Sequence, residues 1–196
     1  NWAYRKAEKL IFQTEDMKKC FPKDIRDKSI VIPNPVAENI LDAFHGERQK
    51  KIVSVARLQP QKNQKLLINA FADFCKTTSG FELHIYGVGE LEQELRNQIQ
   101  ELGMNDNIFL KGFSNHVMEE IRNSMMFVLS SDYEGIPNSM IEALALGIPV
   151  ISTDCPVGGP AAYIESGVSG ILVPVGDEKA MTQAMERIAS DTAYAE

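Results

Sequence analysis

The chain of 196 residues contains few of the side chains that bind transition metals, with only three cysteines and three histidines. Cys20, Cys75 and Cys155 lie far apart in the sequence, and the histidines are equally scattered. Neither set has the spacing of a zinc site, and an odd number of distant cysteines provides no disulfide framework. The sequence therefore predicts no metal centre, and we interpret each cysteine as a small buried hydrophobic residue in a reducing compartment.

The sequence also lacks a long apolar run and an excess of positive charge. No apolar run approaches the roughly 20 residues that cross a bilayer, and the opening NWAYRKAEKL lacks the apolar core of a signal peptide. The formal net charge of −7 argues against nucleic acid as a main partner, because binding to its backbone requires a basic surface. We therefore expect a cytoplasmic globular domain and, since there is no initiator Met, a piece of a longer protein.

From Lys51 onward, short apolar runs alternate with segments of helical periodicity. Six runs are predicted to be buried strands: KIVSVA, FELHIYG, NIFLKG, MMFVLSS, PVIST and GILVPV. Asp177 is expected to cap the last helix. This order predicts an α/β fold, a Rossmann-like doubly wound parallel sheet of about six strands. Before Lys51 we expect a helix over residues 4–20, a strand from Ser29 to Val36 and a polar connector over residues 37–50.

Ligands of such sheets bind beyond the carboxyl ends of the strands, so the loops that follow strands are the candidate sites. Arg57 and Lys62 follow the KIVSVA strand and precede a helix, where two cations suit a phosphate or diphosphate. A solvated basic start of the helix is an equally good interpretation of this loop alone.

Two glycine-containing loops can likewise be interpreted either as structural turns or as ligand-binding loops. Gly87 and Gly89 follow a strand, but Glu92 occupies the third glycine position of a dinucleotide fingerprint, which favours a tight turn over NAD binding. Gly158 and Gly159 also follow a strand, and there the structural and functional interpretations are balanced.

The stretch SSDYEGIPNSMIEALALGIPVIST, from Ser130 to Thr153, combines a loop with a helix that ends in Gly-Ile-Pro. Pro137 suits the first helical turn, which would leave the amides of Asn138, Ser139 and Met140 free to face an anion.

Two glutamates flank this helix start, Glu134 in the loop and Glu142 about one turn into the helix. Both can face one crevice, where carboxylates would pair with the vicinal hydroxyls of a ribose or a sugar. Alternatively, Glu134 favours the helix dipole and Glu142 lies on a solvated face, but that interpretation does not explain the apolar neighbours of Glu142.

Taken together, these segments resemble the donor-binding half of retaining glycosyltransferases with the GT-B fold, of the family 4 or group 1 type, from roughly Ser29 to the end. VIPNPV is similar to the crossover from the acceptor domain, VARLQPQKN to the Arg-Leu-x-x-x-Lys loop, EGIPNSMIE to the Glu-x7-Glu pattern and GILVPVGD to the closing strand.

The resemblance implies a role for each matching residue. Arg57, Lys62 and Glu134 would be the catalytic residues, with the two cations stabilising the charge of the leaving nucleotide and Glu134 contacting the transferred sugar. Glu142 would accept hydrogen bonds from the ribose, and backbone near Gly112 would meet the base. The donor-binding set would be Gly112, Phe113, Gly135, Ile136, Pro137, Asn138, Ser139 and Glu142.

The resemblance also implies a retaining hexosyltransferase that needs no metal or other cofactor. It would move a sugar from a nucleoside-diphosphate sugar to a glycan or lipid-linked acceptor in bacterial capsule or lipopolysaccharide synthesis. Residues 1–34 would be a remnant of the acceptor domain, and residues 35–196 a C-terminally truncated donor domain. The full-length protein would be cytoplasmic and associate peripherally with the inner face of the membrane. The fragment is expected to bind nucleotide but to transfer little sugar, because the reaction needs a closed cleft.

One departure from the family lies at Ala161 and Ala162, where a glutamate is common, so the sequence leaves open whether a sugar or acceptor contact is made there. Two other hypotheses remain open, an NAD-dependent oxidoreductase and a non-catalytic nucleotide-binding domain of the same fold.

Overall fold

The computed structural model describes residues 2–35 and 41–191. The strands are β1 (Leu10–Phe12), β2 (Ser29–Val31), β3 (Gln49–Val55), β4 (Glu82–Tyr86), β5 (Ile108–Gly112), β6 (Ser124–Leu129), β7 (Val150–Thr153) and β8 (Ile171–Val173). The α-helices are α1 (Trp2–Lys6), α2 (Glu15–Lys19), α3 (Lys23–Arg26), α4 (Gln64–Phe74), α5 (Glu92–Glu101), α6 (Val117–Ile121), α7 (Asn138–Ala145) and α8 (Glu178–Ser190). Two 3-10 turns span Pro60–Lys62 and Pro160–Ala162.

Strands β3 to β8 form one parallel sheet in the order β5-β4-β3-β6-β7-β8, which confirms the predicted six-stranded α/β architecture. Alternate side chains of β3 separate two buried cores: Ile52 belongs to the core under α4, α5 and α8, and Val53 to the core under α6 and α7. Burial of each such large apolar side chain contributes about 1.5–3 kcal/mol, so both faces of the sheet stabilise the fold.

The sequence also determines where two long helices begin. The side chain of Asn63, in a left-handed conformation that asparagine tolerates, accepts from the amide of Leu66 at the start of α4. Asp177 accepts from the amide of Ala180 at 2.9 Å and caps α8, as predicted.

The direction of strand order changes between β3 and β6. From β3 the chain proceeds outward through β4 to β5, and it then returns to β6 on the other side of β3. The loops after β3 and β6 therefore flank the switch point at the carboxyl edge of the sheet, which is where the ligand crevice of open α/β sheets lies.

The predicted helix over residues 4–20 is wrong. The apolar run Leu10–Phe12 is instead strand β1, which pairs in parallel with β2, and a separate helix starts after Thr14, whose hydroxyl accepts from the amide of Met17. The predicted strand from Ser29 is confirmed only to Val31; Val36 and residues 37–40 of the connector lie outside the described residues.

Two further predictions can be compared with the structure. Cys155 is buried and Cys75 partly buried, but Cys20 is exposed at the end of α2, so the prediction of a buried residue is wrong there. Within the described ranges, no helix is both apolar and long enough to traverse a bilayer.

Candidate functional site

The loops that follow β3 (residues 56–63, the β3 loop) and β6 (residues 130–137, the β6 loop) are joined by hydrogen bonds. The hydroxyl of Ser130 donates to the carbonyl of Lys62 at 2.8 Å, and the amide of Asp132 donates to the carbonyl of Gln61 at 2.9 Å. Gln61 returns a bond from Nε2 to the carbonyl of Tyr133 at 2.7 Å. The floor of the crevice is therefore set by the backbone of both loops.

Lys62 and Glu134 form a buried ion pair across the two loops. Lys62 Nζ lies 2.5 Å from Glu134 Oε1, and the two side chains are only 14% and 7% exposed. The hydroxyl of Ser131 donates to the same oxygen at 2.6 Å. Because a buried charge without its partner is costly, each member of this pair holds the other in place.

Arg57 is exposed in the β3 loop. Its carbonyl accepts from Nε2 of the buried Gln64 at 2.8 Å, which fixes the backbone from which the side chain projects. Among residues 2–35 and 41–191 its guanidinium has no ion-pair or hydrogen-bond partner, so it is available to an anionic ligand.

The start of α7 presents two free amides rather than three. Pro137 is the residue before the helix, and its carbonyl accepts from the amides of Met140 and Ile141 at 3.1 and 3.2 Å. The expectation of a free Met140 amide is therefore wrong. The amides of Asn138 and Ser139 donate to nothing within the described part of the chain, as helix geometry requires of its first residues.

The side chains around this helix start anchor it to the sheet. The hydroxyl of Ser139 donates to the carbonyl of Val55, the last residue of β3, at 2.8 Å. Ile136 is 8% exposed and belongs to the core under α7, while Gly135 is partly exposed. Ser139 can therefore offer a ligand its amide while its hydroxyl is engaged.

Glu142 lies one turn into α7 and is half-buried, not on a fully solvated face. Burial raises the pKa of its carboxyl. No donor within the described residues reaches this carboxylate. A partly desolvated acceptor without a partner is suited to hydroxyl groups of a ligand.

The Gly87-x-Gly89 turn is explained by packing. A Cβ on Gly87 would lie 2.0 Å from the carbonyl oxygen of Ala56, and one on Gly89 would lie 2.2 Å from that of Leu58. Both glycines therefore let the β4 turn pack against the β3 loop. This is the close backbone packing that the sequence favoured over an NAD fingerprint.

The loop after β5 lies at the edge of the sheet. The carbonyl of Gly112 accepts from the amide of Gly87 at 2.7 Å, and Phe113 is 73% exposed. Phe113 therefore offers an exposed aromatic ring next to Gly112, which has a positive φ.

The turn after β7 packs directly on the β6 loop. A Cβ on Gly159 would lie 1.4 Å from the carbonyl oxygen of Gly135, so the two backbones are in contact. Ala161 and Ala162 are exposed and line a cavity of about 430 Å³ together with Gln13.

Sequence reasoning missed the contacts made by residues before β3. Thr14 donates to the carbonyl of Val157 at 3.0 Å, and Asn34 donates to the side chain of Asn138 at 2.8 Å. Ser131, which supports Glu134, was also missed. The one available signal was the placement of Asn34 between two prolines, an unusual position for a residue of a plain connector.

Among the residues that the structure describes, no three His, Cys, Asp or Glu side chains are grouped so that they could hold a metal ion.

Comparison with known proteins shows the family to which this chain belongs. The model of the family described as "Glycosyl transferases group 1" matches residues 38–196. The chain is 33% identical over 169 residues to an uncharacterized glycosyltransferase of Methanocaldococcus jannaschii, covering 79% of this chain and 42% of that protein. It is also 33% identical over 144 residues (74% of this chain, 38% of the relative) to a Campylobacter jejuni enzyme, N-acetylgalactosamine-N,N'-diacetylbacillosaminyl-diphospho-undecaprenol 4-alpha-N-acetylgalactosaminyltransferase.

A similar solved structure is that of a variant of TarM from S. aureus in complex with fondaparinux, alpha-GlcNAc-glycerol and UDP. It matches with a TM-score of 0.88 and 26% identity, over 98% of this chain and 39% of that one. The chain thus spans about two fifths of the length of these proteins. The six-stranded parallel sheet matches GT-B glycosyltransferase structures, and the chain belongs to the glycosyl transferases group 1 family.

Proposed function

We propose that this chain is the donor-binding part of a retaining, family 4 type hexosyltransferase that uses a nucleoside-diphosphate sugar. The observation that carries the proposal is the buried Lys62–Glu134 pair at the switch between β3 and β6, beside the free amides of Asn138 and Ser139. A cation and two unpaired N–H groups beside one crevice are suited to a diphosphate, which is the leaving group of such a donor.

Each side chain of the site has a distinct role in this proposal. Lys62 and Arg57 bind the diphosphate and stabilise the negative charge that develops as the bond from the sugar to phosphate breaks. Glu142 accepts from the ribose hydroxyls. Within the described residues, both side-chain hydrogen bonds to Glu134 go to Oε1, so Oε2 is available to accept a hydroxyl of the transferred sugar.

The base and the sugar of the donor are bound by other parts of the crevice. Backbone beside Gly112 and Phe113 meets the base, and Gly135 and Ile136 carry backbone toward the sugar. The cations perform the charge stabilisation that a metal ion would otherwise supply, so we propose that the site needs no metal or other cofactor.

The acceptor is proposed to be a glycan or lipid-linked saccharide of the bacterial surface. The C. jejuni relative is named for a lipid-linked acceptor, and TarM was crystallised with a saccharide-bearing glycerol. We propose that the whole protein acts in the cytoplasm at the inner face of the membrane, where a lipid-linked acceptor would be presented.

We further propose that residues 1–34 belong to the acceptor domain and residues 35–196 to the donor domain. Ile11 and Ile30 pair across β1 and β2 and are 63% and 48% exposed, as expected of a sheet that further strands or helices would cover. Incubation of this chain with a nucleotide sugar and an acceptor saccharide should yield little or no transfer, because half of the cleft is absent. Substantial turnover would contradict the domain assignment.

A thermal-shift panel tests the proposed function and separates it from the two alternatives. UDP, GDP, ADP and NAD are added separately, with and without EDTA. One of the three nucleoside diphosphates should raise the Tm by roughly 5–10 °C at about 100 times its Kd, with EDTA making no difference. UDP, with which the TarM variant was crystallised, is the probe named in the experiments below and is replaced by GDP or ADP if one of those binds instead. Stabilisation by NAD alone would favour an oxidoreductase, and no stabilisation by any of the four would contradict nucleotide binding.

Replacement of Glu142 by glutamine tests the ribose contact. We expect UDP to bind about tenfold more weakly, because a charged acceptor is replaced by a neutral amide, which accepts a weaker hydrogen bond, and the preference for UDP over 2′-deoxy-UDP to shrink. The Tm without ligand should stay the same or rise. Since burial raises the pKa of Glu142, the folded state favours the protonated carboxyl, and the stability that this form contributes is lost as the pH rises through the folded-state pKa. The free energy of unfolding of the glutamine variant should lack this dependence on pH.

The matched control is Glu101→Gln, at an exposed glutamate in the last turn of α5. It should change neither the affinity for UDP nor the discrimination against 2′-deoxy-UDP. An unchanged preference in Glu142→Gln, measured by calorimetric titration, would exclude the ribose role.

A further inference from the structure

Three side-chain amides form a relay from the segment after β1 to the start of α7. Gln13 Nε2 donates to Asn34 Oδ1 at 2.6 Å, and Asn34 Nδ2 donates to Asn138 Oδ1 at 2.8 Å. Asn34 and Asn138 are 104 residues apart in sequence. The amide of Asn34 is thus engaged on both sides, and it joins two distant segments.

The backbone around Asn34 is well suited to holding its side chain between these two segments. It lies between Pro33 and Pro35, whose rings fix φ near −65° and remove two backbone donors. The side chain of Asn34 therefore projects from a stiff segment, and its main polar contacts are those of its amide. A stiff support makes a hydrogen bond effective at fixing the position of its partner.

Residues 13 and 14 also contact the β6 loop and the turn after β7. A Cβ on Gly135 would lie 2.8 Å from Gln13 Oε1, so Gln13 lies directly against the β6 loop. Thr14 donates to the carbonyl of Val157, whose amide in turn donates to the carbonyl of Glu134 at 3.1 Å. Gln13 thus lies against the residue that follows Glu134, and Thr14 bonds to the turn after β7, which is itself hydrogen-bonded to Glu134.

We propose that Asn34 is a positioning residue for the phosphate site. By holding the side chain of Asn138, it fixes the first turn of α7, and with it the amides of Asn138 and Ser139 that would face the diphosphate. The geometry of this turn then depends on where Gln13 and its segment lie. A displacement of that segment relative to the donor site must break one of the two relay bonds. This inference rests on the proposed nucleotide site and assigns a role to a residue outside it.

A double-mutant cycle on this 196-residue chain tests the proposal, with the Kd for UDP measured by calorimetric titration. Asn34→Ala and Asn138→Ala should each weaken binding roughly three- to tenfold, as expected for one lost positioning hydrogen bond. The double variant should bind no more weakly than the weaker single variant, because both substitutions remove the same bond.

Thr14→Val is the matched control, since it removes two hydrogen bonds of the same segment, to the Val157 carbonyl and from the Met17 amide, but none of the relay. It should lower the Tm and leave the Kd for UDP unchanged. Fully additive losses in the double variant, or an Asn34→Ala variant whose Tm falls while its Kd is unchanged, would reduce the relay to a purely structural contact and overturn the proposal.

A readout without ligand separates this inference from the proposed function. The backbone amide resonance of Ser139 in ¹H–¹⁵N spectra should shift or split in Asn34→Ala and stay in place in Thr14→Val. If the unmodified chain binds no nucleoside diphosphate, the proposed function fails, and the Ser139 resonance still decides the claim: a shift supports positioning by Asn34, and an unmoved resonance refutes it.

Discussion

Replacement of Lys62 by alanine should remove more than half of the thermal stabilisation that UDP gives to this chain. A charge-assisted hydrogen bond to phosphate contributes about 1.5–3 kcal/mol, so the affinity should fall roughly 10- to 100-fold. The variant should also be less stable without ligand, by about 3 kcal/mol, because Glu134 would remain buried without its cation. Thermal shifts with and without UDP measure both effects.

Lys62→Ala should weaken UDP binding and also destabilise the chain, and Arg57→Ala separates these two effects. Because Arg57 is exposed and has no side-chain partner in the described part of the chain, its loss should weaken UDP binding with almost no change in the Tm without ligand. Lys65→Ala is the matched control, as it removes a positive charge from the first turn of α4, where Lys65 pairs with Glu94. It should change neither quantity substantially. If UDP stabilises Lys62→Ala and Arg57→Ala as strongly as the unmodified chain, these cations do not bind the diphosphate.

Replacement of Gly159 by alanine should be the most disruptive small substitution in the site. Gly159 has φ −60° and ψ −55°, a conformation that alanine adopts freely, so the whole effect comes from contact with Gly135. The added Cβ would lie 1.4 Å from a backbone oxygen that cannot rotate away. We expect a loss of about 3 kcal/mol or more, a Tm lower by roughly 6–12 °C, and much weaker UDP binding as the β6 loop is displaced.

Gly103→Ala provides the comparison for this result. Gly103 has φ +67° and open space around it, so alanine there meets backbone strain of about 1–2 kcal/mol but no clash. It should lower the Tm modestly and leave the affinity for UDP intact. A Gly159→Ala variant that keeps both its Tm and its affinity would mean that the β6 loop and the turn after β7 do not pack as described.

The main sheet could be predicted from the sequence because its signals are local. Continuous apolar strands, Asp177 at a helix start and Gly-x-Pro at a helix end each act within a few residues. The segment before β3 was harder, since Leu10 and Ile11 fit a helical period as well as a strand. The pairing of β1 with β2 decides between them, and pairing between segments distant in sequence leaves no periodic signature.

The same distinction holds for the candidate site. Its cations, acids and helix start could be located because each follows a strand of a parallel sheet. Which groups touch could not be predicted: Lys62 and Glu134 are 72 residues apart and meet only because β3 and β6 are neighbours. The sequence places Asn34 only in a predicted crossover segment, and its bond to Asn138 exists only in the folded chain.

A structure of this chain crystallised with UDP tests most directly the claim that the β3 loop, the β6 loop and the start of α7 form one nucleotide site. We expect the diphosphate oxygens at hydrogen-bond distance, about 2.7–3.2 Å, from Lys62 Nζ and from the amide of Asn138 or Ser139, with a ribose hydroxyl on the carboxylate of Glu142. UDP bound with its diphosphate away from the β3 loop, or with Glu142 left unoccupied, would contradict the account.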